Sequence, residues 1–233
     1  MYSLKAAADV ENPHSLSNRM RNKRFTLFDA FIRELPKPLR LIDIGGTEMF
    51  WERRGWAGRT DIDITAINRE SSVPRYSNLR TLSGDATDLS AYGNKEFDVA
   101  FSNSVIEHLF TKENQARMAA EVDRIAKAYW VQTPNFWFPI EPHFHVPGWQ
   151  WLPRNTRVAL IQRRRCGWRG PCPDLELARA AVDEVRLMTV SEMRNLFSGG
   201  EIWQERFCGL SKSIVAYSGF GRTIDDVRPT SNV

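Results

Sequence analysis

The residues best equipped for chemistry in this chain are histidines and acids set at the ends of short apolar runs. Histidine is the side chain that takes and returns protons near neutral pH. His108 directly follows Glu107 in the run Ser104-Val105-Ile106-Glu107-His108-Leu109. His143 and His145 stand in Glu141-Pro142-His143-Phe144-His145. Side chains two apart on an extended segment point the same way, so this pair suits a base, or a positioning group, acting on a hydroxyl. Ordinary packing of loop histidines, and a helix cap for His108, are the competing readings. His-x-His also suits a metal, but no cysteine or acidic ligand cluster accompanies it, so no metal is expected. His14 lies near the N-terminus, away from any motif.

A second set marks where apolar runs stop. Leu39, Leu41, Ile42 and Ile44 read as a buried strand that carries Asp43 and ends on Gly45-Gly46. Glycine lets the backbone turn sharply and approach a ligand without a Cβ in the way. Open α/β sheets bind nucleotide-like ligands at such carboxyl ends of strands. Taken alone, the glycine pair is equally a tight turn. Asn68 closes a second run 23 positions after Gly45, near the spacing at which dinucleotide folds read a ribose hydroxyl. Gly84-Asp85-Ala86 closes a third, and Ser102-Asn103-Ser104 a fourth.

The elements that must hold these residues alternate. Phe25, Phe28, Ile32 and Leu35 give a helix over about 17–35, ended by Pro36 and Pro38. Strands follow at 39–44, 63–68, 79–83, 97–102 and 129–132, with helices at 48–56 and 111–126. That rhythm predicts a doubly wound, mostly parallel sheet. Residues 134–173 differ, holding seven of the twelve prolines and Trp137, Trp149, Trp151 and Trp168. They read as a loop-rich cap over the ligand edge, with a basic helix at 158–165. A helix at 191–197 and strands at 201–207 and 211–217 complete the chain, the last two as an antiparallel hairpin. The reading is one domain, with an N-terminal helix (17–38), a ligand-binding core (39–133), a cap insertion (134–190) and a terminal helix and hairpin (191–217). Residues 1–15 look poorly ordered.

Composition sets bounds. A chain of 233 residues with 42% hydrophobic and 26% charged residues fits one soluble α/β domain. No apolar run approaches the ~20 residues that cross a bilayer, and no secretory leader is visible. Cys166, Cys172 and Cys208 form no metal pattern and no disulfide framework. A cytoplasmic location is expected. The net charge of +4 is mild, so no nucleic acid is expected as a partner. Arg19, Arg21, Lys23 and Arg24 cluster early, and Arg163, Arg164, Arg165 and Arg169 late. Both clusters read as solvated helix faces or as contacts for phosphate or an anionic surface.

Taken together, the strand ends resemble the class I S-adenosylmethionine-dependent methyltransferases, in particular type 11-like bacterial small-molecule enzymes. The resemblance spans about Leu39 to Asn135. It rests on Asp43-Ile44-Gly45-Gly46, Asn68, Asp85-Ala86 and the run Phe97-Asp98-Val99 through Glu107-His108-Leu109. It implies a Rossmann-like, mostly parallel seven-stranded sheet with a terminal antiparallel hairpin, and S-adenosyl-L-methionine as cofactor. It also implies roles. Gly45 and Gly46 admit the amino acid tail, and Asp43 anchors its ammonium directly or through water. Asn68 reads the ribose, Asp85 the adenine amine and the Ala86 N–H a ring nitrogen. Ser102 and Asn103 line the floor beneath the sulfonium. Thr47 and Met49 depart from the small residues usual in that loop, Asn68 replaces an acid, and the usual Pro-Gly-Gly turn before the fifth strand is missing.

Thr133 to Pro153 and the ending Glu205 to Tyr217 are similar to bacterial methyltransferases encoded among glycan, lipid and secondary-metabolite pathways. That similarity implies methyl transfer to a small molecule, at an oxygen before a nitrogen, with His108, His143 and His145 as the catalytic candidates. The basic stretch 154–169 then meets a phosphate on the acceptor or an anionic lipid surface. Two other functions are weighed. A nicotinamide-dependent oxidoreductase wants glycines at 45, 47 and 50, where Gly45, Thr47 and Phe50 stand. A catalytically idle binding partner on the same fold is the other.

Overall fold

The computed structural model describes residues 15–227; the segment 1–14, His14 included, lies outside the described residues. Helix α1 (Leu16–Arg33) starts where the Ser15 hydroxyl accepts the Asn18 N–H at 3.1 Å. Such a cap satisfies a backbone donor that the first helical turn leaves open. Then come β1 (Leu39–Ile44), α2 (Glu48–Arg53), β2 (Ile62–Asn68), β3 (Leu79–Ser83) and β4 (Phe97–Asn103). Helix α3 (Lys112–Ile125) runs without a break into β5 (Ala126–Pro134). After the cap come α6 (Val190–Leu196), β6 (Glu201–Phe207), β7 (Leu210–Ser218) and α7 (Ile224–Val227), with α4 (Arg154–Arg163) and α5 (Leu175–Asp183) inside the cap.

The seven strands form one sheet in the order β3-β2-β1-β4-β5-β7-β6. The first five run parallel, and β7 lies antiparallel to both β5 and β6. The topology is therefore the doubly wound sheet with a terminal hairpin that the alternation of elements predicts. Successive side chains of a strand face opposite ways, and β1 shows it. Leu39 and Leu41 enter a core with Phe28, Phe31 and Trp51, while Ile42 and Ile44 enter a second core with Met118, Val122 and Met193. A third cluster, built on Phe144, Trp149, Val158, Ile161 and Val182, belongs to the cap.

Three elements differ from the sequence reading for physical reasons. Helix α4 starts at Arg154, four residues early, because Pro153 opens it with a fixed backbone angle. Helix α5 has no counterpart in the sequence reading. Its buried face is small, Ala178 and Val182, and gives little periodic signal. Strand β5 begins at Ala126 because Ala126 pairs with Phe97, and alanines carry no strand preference of their own. Among the described residues no helix is long and apolar enough to cross a membrane.

Candidate functional site

The carboxyl ends of β1, β2, β3 and β4 open into a cleft of about 890 Å³ lined by Gly45, Asn68, Asp85, Ala86, Ser104 and His108, among others. Gly45 has φ +83°, and a Cβ there would lie 2.3 Å from Val105 Cγ2, so only glycine fits the turn. Asn68 ties the turn to β2: its Nδ2 donates to the Gly46 carbonyl at 3.3 Å and its Oδ1 accepts the Arg69 N–H at 2.8 Å. Asp85 is exposed, and its Oδ1 accepts both the N–H and the hydroxyl of Thr87.

Asp43 lies behind the turn. Its Oδ2 accepts the Trp51 indole N–H at 2.7 Å, and a Cβ on Gly46 would lie 1.6 Å from that oxygen. Burial pushes its carboxyl up to about 7, partly opposed by the Trp51 hydrogen bond. Ser102 and Asn103 do not line the cleft. The Ser102 hydroxyl, fully buried, donates to the Ile44 carbonyl, and the Asn103 amide oxygen accepts from Arg24. Ser104 reaches the cleft in their place, held at φ +59° by its N–H on the Gln132 carbonyl and its hydroxyl on the Gln132 side chain.

The histidines fall into two groups. His108, in the cleft wall, sits with its ring 4.8 Å from that of His143. His143 Nδ1 binds Glu141 Oε1, and Glu141 Oε2 accepts the backbone N–H groups of His143 and Phe144. His145 stands apart. Its residue has φ +51°, which breaks the extended alternation, and its ring packs 5.3 Å from Trp168. Glu107, fully buried, accepts the Thr133 hydroxyl at 2.9 Å. Burial lifts Glu107 to about 7 against the pull of a backbone hydrogen bond and His143. Burial, then neighbouring His143, lowers His108 to about 4 and keeps its ring neutral. Burial also lowers His143, but the Glu141 hydrogen bond and charge outweigh it and hold that ring above its ordinary value.

Residues 46–128, which carry the last three of these strand ends, match the family model of a methyltransferase domain. Over that stretch the chain is similar to a methyltransferase domain. An uncharacterized protein of Mycobacterium tuberculosis H37Rv is 29% identical over 129 residues, covering 50% of this chain and 43% of its own length. The chain therefore spans less than half the length of that relative. A Rhodobacter sphaeroides protein named among the Zn-dependent alcohol dehydrogenases superposes with a TM-score of 0.51 at 12% identity, covering 81% of this chain and 86% of its own. That likeness concerns the fold alone. A SAM-dependent methyltransferase of Aquifex aeolicus gives 0.44 at 13% identity, over 85% of this chain and 95% of its own.

S-adenosylmethionine is the cofactor that the resemblance implies, and the cleft suits it. Gly45 leaves room where a Cβ would collide, and Asp85 offers an acceptor at the far end. A dinucleotide suits the methyltransferase cleft less well. A pyrophosphate sits on a helix N-terminus, but the first turn of α2 carries Glu48, already bound to Arg75 at 2.7 Å.

Beside the cleft, a cavity of about 70 Å³ lies between α1 and the ends of β5 and β7, lined by Arg21, Arg24, Ser104, Glu205 and Lys212, among others. Arg24, 7% exposed, pairs with Glu205 at 2.8 Å and reaches Ser213 and Asn103. Burial, then the charges of Arg24 and Arg54, lowers Arg21 to about 10. Sequence reasoning missed Ser104 and this cavity as parts of the site. The clustering of Arg21 and Arg24 was its one visible signal.

Proposed function

We propose that the chain binds S-adenosylmethionine in the cleft and methylates a hydroxyl oxygen of a small molecule, of the glycan, glycolipid or secondary-metabolite kind. The observation that carries the reading is Ser104, which lines both the cofactor cleft and the cationic cavity beside it. A donor on one side and an acceptor on the other then meet at the end of β4. The bound cofactor supplies an electrophilic methyl group on a sulfonium.

The residues around that point supply the rest. Asp43 braces the glycine turn from behind, and Asn68 and Asp85 hold the ribose and adenine. Ser102 and Asn103 support the floor from within the sheet. His108 and His143 act on the acceptor as base or positioning groups, while His145, packed against Trp168, supports the loop. Alignment of the acceptor and removal of its proton are what such a transfer asks of a protein. Arg21, Arg24 and Lys212 face one carboxylate, Glu205, which favours an anionic group on the acceptor. Residues 134–190 serve as the acceptor-side insertion. Arg163, Arg164 and Arg165 are exposed and support a weaker contact with an anionic membrane surface, whereas Arg154 and Arg169 are paired with Asp183 and Glu184. A cytoplasmic location completes the reading.

Calorimetry with S-adenosylmethionine and with a nicotinamide dinucleotide, on wild type and Asp85→Ala, tests it. S-adenosylmethionine should bind and the dinucleotide should not, with affinity reduced in the variant. Binding of the dinucleotide alone sinks the reading. Cofactor binding without methyl transfer from labelled donor to any acceptor extract favours an idle binding protein.

A further inference from the structure

Behind His108 lies a group that the cofactor does not use. Glu107, His108 and His143 each offer one ligand atom, and the three atoms lie within 4.8 Å of one another. They come from two segments, the turn after β4 and the loop after β5. Glu107 is fully buried; one carboxylate oxygen takes the Thr133 hydroxyl, while Oε1 has no partner among the described residues. A buried carboxylate oxygen without a donor is costly unless a cation meets it.

One of the two imidazoles is backed by a further carboxylate. Glu141, 2% exposed, binds His143 Nδ1 and is itself fixed by two backbone N–H groups. Glu184 Oε1 lies 3.9 Å from His108 Nδ1, beyond hydrogen-bond reach, and adds only its charge. A carboxylate on one ring nitrogen fixes the tautomer and leaves the lone pair on the other, the arrangement found around metal-bound histidines. The charge agrees. Glu107, Glu141 and Glu184 surround two imidazoles, with Arg169 bound to Glu184 as the cation beside them.

We propose that Glu107, His108 and His143 hold a divalent transition-metal cation at the border of the cleft and the cap. Two imidazoles and one carboxylate suit zinc, manganese or iron better than calcium or magnesium, which prefer all-oxygen ligands. Three protein ligands leave positions open, as catalytic rather than structural sites do. Bonds of about 2.0–2.2 Å draw the three ligand atoms in from the 4.8 Å within which they now stand. His108 also lines the cleft, so an acceptor can complete the coordination. A hydroxyl that joins the cation becomes far more acidic, and its proton passes to water. Such a site prefers an acceptor with two neighbouring oxygens, as in a sugar diol. That use rests on the methyl-transfer reading; the binding of the cation does not.

The test is a titration of the chelator-treated full chain with Co²⁺, followed by its visible absorption and by metal analysis. One equivalent should bind with nitrogen and oxygen bands and be displaced by Zn²⁺. Glu107→Gln and His143→Gln should each weaken binding by more than the roughly 10–100-fold that loss of a group behind a ligand costs, and His145→Gln should not. Circular dichroism and S-adenosylmethionine calorimetry on each variant separate loss of ligand from loss of fold. No cobalt bound by wild type, thiolate bands from cysteine, or equal binding by folded Glu107→Gln and His143→Gln overturns the proposal. Cobalt binding in a chain that ignores S-adenosylmethionine supports the metal site and sinks methyl transfer; the opposite pair of results does the reverse.

Discussion

The Asp43 carboxylate accepts the Trp51 indole N–H at 2.7 Å directly beneath Gly46. A single hydrogen bond thus joins the end of β1 to α2 and sets the floor of the glycine turn. Asp43 is 1% exposed, and burial raises its carboxyl to about 7.

That raised value makes stability depend on pH. Below about pH 4 the carboxyl is protonated in both the folded and the unfolded chain. As the pH rises from there towards 7 the unfolded chain ionises and the folded chain does not, so stability falls. At about 1.4 kcal/mol per pH unit, this one group removes on the order of 4 kcal/mol across the window and nothing more above it. Asp43→Asn keeps an acceptor for Trp51 and removes the titration. Urea unfolding between pH 4.5 and 8 should show a shallower fall for the variant; identical slopes would show that Asp43 ionises freely.

The two glycines should respond differently to alanine. At Gly46 the added carbon would overlap Asp43 Oδ2, with no flexible end to yield. Overpacking of this kind costs about 3 kcal/mol, so Gly46→Ala should lower the melting temperature as well as cofactor affinity. At Gly45 the strain is a left-handed backbone, about 1–2 kcal/mol, plus a contact with Val105 at the cleft wall. Gly45→Ala should therefore weaken S-adenosylmethionine binding more than it weakens the fold. Equal losses of affinity and stability in the two variants would contradict that division.

How far these features were legible in the sequence depends on what each one rests on. The doubly wound sheet and the hairpin follow from alternation of apolar runs and turns, which local residue types fix directly, whereas the strand order comes only from the fold. Gly45, Asn68 and Asp85 end their strands, so the doubly wound topology alone brings them together. Ser102 and Asn103 were read one or two positions short of Ser104, because only the backbone twist at φ +59° decides which side chain of that run meets the cleft. His143 and His145 look equivalent in sequence. They separate because a left-handed residue breaks the extended geometry that would have aligned them. The Arg24–Glu205 pair, 181 positions apart, depends on β6 and β7 closing against α1, which no local pattern encodes.

That pair and its neighbours give opposite outcomes for stability and for acceptor binding. Removing Glu205 leaves Arg24 buried without its anion, a loss of about 3–5 kcal/mol. Glu205→Gln should therefore destabilise the fold. Lys212 and Arg21 are less buried and pair with no carboxylate within salt-bridge reach among the described residues. Lys212→Ala or Arg21→Gln should raise KM for an anionic acceptor several-fold while the S-adenosylmethionine Kd stays put. Unchanged KM in both would move the anionic contact elsewhere.

The last outcome concerns the two cap histidines. His143 bonds Glu141 and stacks edge-on against His108 in the cleft wall, whereas His145 lies against Trp168. Loss of a group that aligns or deprotonates an acceptor typically costs about 10²–10⁴-fold in rate. His143→Ala should fall in that range in kcat with its cofactor Kd unchanged, because the ring does not line the cleft. His145→Ala should lose less than about tenfold, through packing of the loop alone. Single-turnover methyl transfer with calorimetry on the same preparations separates the two effects. A larger loss in His145→Ala would assign the acceptor side to the wrong ring.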